Sequence, residues 1–232
     1  MDQSPTTEPR FAWGSNRQIA VALGVVAAAI VSLGALAFGV LLPLLLDNQQ
    51  PEFTGRPKEI LANLILLAYS LTFVHLVLVR WAGVSWRELG WDGRNWKRDL
   101  ALGLLGHALT QIVFLTYMSS HGVTLPVYFE TIGQFSLSRR FAALVIAVQA
   151  PVLEESLYRG YLQRGIEART GAWGGVLLTA LVFSVSNARF DLAHLLINFS
   201  YGLVWGLLRM KTGRLVAPAL AHSLNWVVNA GL

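Results

Sequence analysis

Residues 141–160 read Phe141-Ala142-Ala143-Leu144-Val145-Ile146-Ala147-Val148-Gln149-Ala150-Pro151-Val152-Leu153-Glu154-Glu155-Ser156-Leu157-Tyr158-Arg159-Gly160. A run that is apolar but for Gln149 leads directly into two adjacent carboxylates. A charge near the centre of a membrane helix costs roughly 2.5–3.5 kcal/mol. A chain that keeps two of them at the edge of such a run marks a functional site there.

The rest of the chain sets the solvent. Hydrophobic residues make up 54% of the 232 and charged residues only 13%. Several stretches approach the roughly 20 apolar residues that a spanning helix needs. About seven are predicted: Ile19–Leu46, Ile60–Trp81, Leu100–Met118, Phe141–Arg164, Trp173–Ala188, Asp191–Arg209 and Leu215–Leu232. Lipid admits only helices or closed barrels, and no alternation of barrel type is visible. The expected fold is all-α: a polytopic transmembrane bundle with its polar site in a cavity among the four C-terminal spans. One domain, residues 19–232, is expected behind a mobile cytoplasmic arm, residues 1–18. The first apolar run is longer than a signal-peptide core and reads as a retained span, which Pro43 bends or ends.

Lys and Arg give an orientation. Counting Arg159 and Arg164 with the loop after span four, thirteen of the 18 lie on or beside the arm and the loops after spans two, four and six. That bias places the N-terminus in the cytoplasm and the C-terminus outside, and a bacterial inner membrane suits it. The net charge of +5 follows from this bias and does not call for nucleic acid. Arg87–Arg98, interleaved with Trp86, Trp91 and Trp96, reads as an interfacial belt. With no cysteine in the chain, thiol nucleophiles, thiolate metal sites and disulfides are excluded.

Within the polar cluster, Glu155 and Arg159 stand four apart and share a helix face, so they can pair. Glu154 is turned away by about 100° and can point into a cavity. Pro151 lacks an N–H and frees a backbone carbonyl upstream. Such a carboxylate pair can activate water or hold a proton for a leaving group. His222 lies about 10 Å into the last span, and Glu154 lies roughly 10 Å from the same side. Asn225, three residues later, could donate to an oxyanion. His75 and His107 read as interhelical hydrogen bonders, and Gly202/Gly206 as a close-packing face.

Taken together, Glu154-Glu155-x-x-x-Arg159-Gly160, the Gly202/Gly206 span, Lys211-Thr212-Gly213 and Pro218-x-x-x-His222 resemble the CPBP family over roughly Trp86–Leu232. That family comprises the CaaX prenyl proteases and the bacteriocin-processing or self-immunity (Abi-type) proteins. The resemblance implies an intramembrane endopeptidase in which glutamate and histidine activate water and a later His and Asn stabilise the oxyanion. Its second motif, Phe-x-x-x-His, falls on Phe183-Ser184-Val185-Ser186-Asn187, so Asn187 occupies the histidine position. Phe190-Asp191-Leu192-Ala193-His194 fits the letters seven residues late, which makes His194 a possible substitute base, with Asp191 an N-cap. The family often has Asn four residues after the last His; here that residue is Trp226.

The implied catalytic set is therefore Glu154, Glu155, Arg159, Asn187, His222 and Asn225. No cofactor is expected. Zinc held by Glu154, His194 and His222 is the alternative. The expected partners are the bilayer and a membrane-anchored or leader-type peptide, cut near its terminus. Two other readings exist: a catalytically impaired binding or immunity-type relative, which Asn187 favours, and a small proton-coupled transporter, since intramembrane Glu and His also serve proton relays.

Overall fold

The computed structural model describes residues 12–36, 57–187 and 190–229, and every regular element among them is helical. In chain order these are α1 (Asn16–Leu36), α2 (Pro57–Phe73) with a π-helical continuation (Val74–Trp81), and α3 (Trp86–Leu89). Then come α4 (Trp96–Ser120), α5 (Leu125–Gly133) and α6 (Leu137–Glu154) with a second π-helical continuation (Glu155–Leu162). The chain ends in α7 (Gln163–Ser186), α8 (Leu192–Thr212) and α9 (Val216–Asn229). Residues 37–46 of the first predicted span, with Pro43, lie outside the described residues, as do Ala188 and residues 230–232.

Among the described residues, four helices are long and apolar enough to cross a membrane: Asn16–Leu36, Ile60–Trp81, Trp96–Ser120 and Arg139–Ser186. The last is two limbs. Gly171 (φ 82°, ψ 171°) breaks the helix, and Tyr158 bonds Ser186 at 2.5 Å, 28 residues apart in sequence. Only a reversal brings those residues together, so the fourth and fifth predicted spans form an antiparallel hairpin. The first limb does not stop at Arg164 but continues to the Gly171 turn. The α8 and α9 helices carry polar groups among their apolar residues; α8 buries its C-terminal half, including Trp205, and leaves Leu192 and Leu196 exposed.

Contacts between helices fix their directions. A Cβ added to Gly202 would meet Ala180, and one on Gly206 would meet Val176, so α8 runs antiparallel to the second limb of α7. The α4 helix runs parallel to α9: Gly103 faces Ala217 and Leu220, while Thr110 bonds Asn225. Gln149 on α6 donates to Ser70 on α2 at 3.0 Å. The loops at one end are tied together, with Leu215 N–H donating to Gly90 C=O at 2.8 Å and Arg214 forking onto Asp99 at 2.7 and 2.8 Å.

Small residues make this packing possible. A Cβ on Gly202 would stand 2.9 Å from the Cα of Ala180, a backbone atom that cannot step aside. Gly202→Val is therefore expected to destabilise the fold by about 1–3 kcal/mol, read as an earlier unfolding midpoint in mixed micelles. Gly160 is similarly constrained, since its Cβ would lie 3.0 Å from the carbonyl oxygen of Leu89.

Residues 12–18, expected within a mobile arm, are docked instead. Trp13 packs edge-on against Tyr161 at 5.6 Å and lies under the guanidinium of Arg164 at 4.3 Å, while Gln18 is only 1% exposed. The aromatic face of Trp13 supplies the burial that the polar composition of the arm conceals.

In the loop before α4, Asp92 accepts the backbone N–H of Arg94 at 3.0 Å and its Nε–H at 2.6 Å. The backbone bond from Arg94, helped by that guanidinium, holds the carboxyl below its ordinary value. A carboxyl depressed in the fold contributes stability above its unfolded pKa of about 4 and loses it as pH falls through the lower folded value. The Arg94 amide resonance is expected to keep its position at neutral pH and to move only below about pH 4. Asp92→Asn should remove that movement.

Candidate active site

The helix that carries the carboxylates changes its winding where they sit. The α-helical path ends at Glu154, and the next eight residues, Glu155–Leu162, are π-helical. A π segment widens the turn and re-aims side chains, and such segments recur at functional sites. All eight of its residues are buried.

Glu155 is 0% exposed and holds two partners. Arg159, also 0% exposed, donates to Glu155 Oε1 at 3.2 Å from the next turn. The Nδ1 of His222 lies 3.0 Å from the same oxygen. The guanidinium of Arg159 is enclosed by rings, 4.5 Å from Phe183 and 5.2 Å from Trp205, where cation–π attraction offsets part of its desolvation. Trp205 also stacks on the imidazole of His222, with centroids 4.0 Å apart and planes 14° off parallel.

Glu154 is the accessible member of the pair. Its side chain is 31% exposed, and its Oε2 stands 3.9 Å from Nε2 of His222. It lines a cavity of about 350 Å³ between α1, α6, its π continuation and α7. Val26, Ala29, Ile30 and Leu33 of α1 form the apolar wall of the cavity, and Tyr158, Ser186 and Asn187 contribute polar atoms. The two carboxylates thus share one histidine from two environments, Glu155 sealed with Arg159 and Glu154 open to the cavity.

The tautomer of His222 follows from its neighbours. Its Nδ1 faces a carboxylate, so Nδ1–H donates to Glu155. Its Nε2 then offers a lone pair, which accepts the indole N–H of Trp226 at 3.3 Å.

The structure brings Glu154, Glu155, Arg159 and His222 together and sets Asn187 on the same cavity as Glu154. Asn187 is the exposed C-cap of α7, with its amide donating to the carbonyl of Phe183 at 2.9 Å. Asn225 is engaged elsewhere, its Oδ1 2.7 Å from His107 Nδ1 and accepting from Thr110 at 3.0 Å. His107 is thereby the interhelical bonder expected from the sequence, whereas His75 is exposed on its helix. His194 does not reach the cluster. Its backbone is capped by Asp191, as expected, and its Nδ1 lies 2.7 Å from the same carboxylate. It stands eleven residues before Trp205 on α8, a rise of about 16 Å. Glu154, His194 and His222 therefore do not converge. Among the described residues, no group of three His, Asp or Glu is arranged to hold a metal ion.

Sequence reasoning missed Trp226 and Trp205. Trp226 was legible, because four residues after His222 is one helical turn and the same face. Trp205 was not, because its stacking depends on where α8 docks.

Residues 136–228, from the start of α6 through nearly all of α9, match the family model Rce1-like, described as Type II CAAX prenyl endopeptidase Rce1-like. This segment contains every residue of the cluster. The match supports the CPBP resemblance read from Glu154, Glu155, Arg159 and His222, on a shorter stretch than Trp86–Leu232. Two curated proteins are similar over part of their length. The "Uncharacterized 24.3 kDa protein" of Escherichia coli is 33% identical over 82 residues, covering 34% of this chain and 38% of that protein. The "Putative membrane peptidase YdiL" of Bacillus subtilis is 28% identical over 79 residues, covering 34% of this chain and 32% of that protein. The matched stretch spans about a third of each relative. No solved structure matches.

Proposed function

We propose that this chain is an intramembrane endopeptidase that hydrolyses a peptide bond near the terminus of a membrane-anchored or leader-type peptide. The observation that carries the reading is His222 set between two unlike carboxylates, one sealed and one facing an apolar-walled cavity. The Rce1-like match over the same residues supports it.

In this reading Glu154 takes a proton from water, and the water oxygen adds to the scissile carbonyl carbon. The charge that develops on the carbonyl oxygen is met by N–H donors. At rest Nε2 of His222 accepts from Trp226; a proton taken up from solvent as substrate binds, and given back on product release, makes it a donor instead and releases the Trp226 N–H toward the same oxyanion. Glu155 stabilises the imidazolium through Nδ1–H, and Arg159 holds Glu155 in place. Glu154 then passes its proton to the leaving nitrogen as the C–N bond breaks. Donors fixed in a site of low dielectric act with little reorganisation. Asn187 orients the water from the far side of the cavity without serving as a base. Asn225 secures α9 through His107 and Thr110, and His194 has no part. The reaction as drawn assigns no step to a metal.

The bias of Lys and Arg among the loops supports an N-terminus in the cytoplasm of a bacterial inner membrane, with Glu154 nearer that side. One observation favours a second reading, a binding or immunity-type relative without turnover: Asn187, which cannot accept a proton at neutral pH, stands where the family pattern has histidine. The test is cleavage of tailed, membrane-anchored peptides in proteoliposomes of the purified protein, with and without His222→Ala. Product from the wild type and none from the variant is expected. Peptide capture with no product from either protein would leave the second reading in place.

A further inference from the structure

Proline at position 151 has no N–H, so the carbonyl of Ala147, four residues earlier, receives no hydrogen bond from that position of its own helix. In the structure the hydroxyl of Ser223, on α9, donates to that same carbonyl at 2.6 Å. Elsewhere the helix hydroxyls commonly bond back to their own helix four residues earlier: Ser70 to Leu66, Ser156 to Val152, Thr170 to Ile166, Ser200 to Leu196 and Thr212 to Leu208. That back-bonding is the usual behaviour of Ser and Thr inside helices. Ser223 crosses to another helix instead, and it adjoins His222.

We infer that Pro151 and Ser223 form a positioning device that sets the register of α9, and with it the imidazole of His222, against the carboxylates of α6. The inference rests on the reading of Glu154, Glu155 and His222 as the hydrolytic centre. Proline empties a place on the Ala147 carbonyl, and a buried carbonyl in an apolar surround is costly to leave unpaired. The Ser223 hydroxyl fills it. Two hydrogen bonds of α9 on this helix and its π continuation, Ser223 to Ala147 and His222 to Glu155, are eight residues apart on the receiving helix, about 12 Å along its axis. Two attachments that far apart resist both sliding and rotation of α9, which one contact would allow. Ser223 and Pro151 touch neither water nor substrate; they act through His222.

The experiment is a double-mutant cycle on the full chain, comparing wild type, Ser223→Ala, Pro151→Ala and the double variant, with Ser223→Thr as the conservative control. Unfolding is followed in mixed micelles and cleavage in proteoliposomes. With Pro151 present, Ser223→Ala is expected to shift the unfolding equilibrium about tenfold, the range of one orphaned carbonyl. In the Pro151→Ala background, where the restored N–H supplies the Ala147 carbonyl from within the helix, the same change should shift it less than about threefold. Ser223→Thr keeps the hydroxyl and should stay near the wild type in both assays. On cleavage, Ser223→Ala is expected to lower kcat about tenfold or more with KM unchanged, since small misplacement of a catalytic group is expensive. In the double variant stability should return and kcat should not, because the carbonyl is satisfied but α9 is not attached. An equal cost of Ser223→Ala in both backgrounds would overturn the inference, and so would a kcat that recovers with stability. If the wild type cleaves nothing, the hydrolytic reading fails on that result, while the unfolding cycle still decides the attachment.

Discussion

Glu154→Gln is expected to lower the cleavage rate by about 10²–10⁴-fold, the usual contribution of a positioned general base, while leaving the unfolding midpoint almost unchanged. The substitution keeps size and polarity and removes only the capacity to take a proton. Stability should hold because Glu154 is 31% exposed at the edge of a cavity, and Nε2 of His222 stands 3.9 Å away, beyond hydrogen-bond reach. A contact that long to a partly exposed carboxylate contributes little to folding. Rate and stability measured on the same preparation separate this outcome from general damage. A variant that loses both would point to a structural role for Glu154.

Glu155→Ala is expected to do the opposite. Both Glu155 and Arg159 are fully buried, and Glu155 also receives His222. Removing the carboxylate leaves a guanidinium enclosed by Phe183 and Trp205 with its counter-charge gone. Breaking a buried pair from one side costs roughly 3–5 kcal/mol, a large share of the stability of a domain. The measurement is denaturant unfolding in micelles, with cleavage lost in parallel. The paired replacement Glu155→Leu with Arg159→Met should recover much of that stability, because apolar substitutes of similar volume remove both desolvation costs. It should recover no activity, because the imidazolium of His222 would then have no anion at Nδ1. Stability that returns without rate is the signature of a charge kept for chemistry.

Much of this architecture was legible because the bilayer constrains it tightly. The apolar run ending at Leu153, the reversal near Gly171 and the close packing at Gly202 and Gly206 all follow from local residue types. The meeting of the carboxylate pair with His222 was legible from depth, since Glu154 and His222 both fall roughly 10 Å from the same end of their predicted spans. What the sequence hid depends on helix rotation. Asn225 was expected at the oxyanion, but one residue is 100° of turn, and that turn carries it to His107 and Thr110 on α4. The same turn brings Trp226 to His222. The π segment at Glu155–Leu162 has no sequence signature beyond Pro151 nearby. His194 satisfied a motif by letters alone, yet its place at the start of α8 leaves it about 16 Å along the helix from Trp205. The docking of Trp13 was hidden by the polar residues around it.

The central claim is that Glu154 delivers water to a peptide bond. The most direct measurement is a single turnover of a tailed peptide in proteoliposomes prepared in oxygen-18 water, with the products weighed by mass spectrometry. The account predicts one heavy oxygen at the new C-terminal carboxyl with wild-type protein and no product with Glu154→Gln. Product formed equally by Glu154→Gln, or a new terminus without the heavy oxygen, would contradict it.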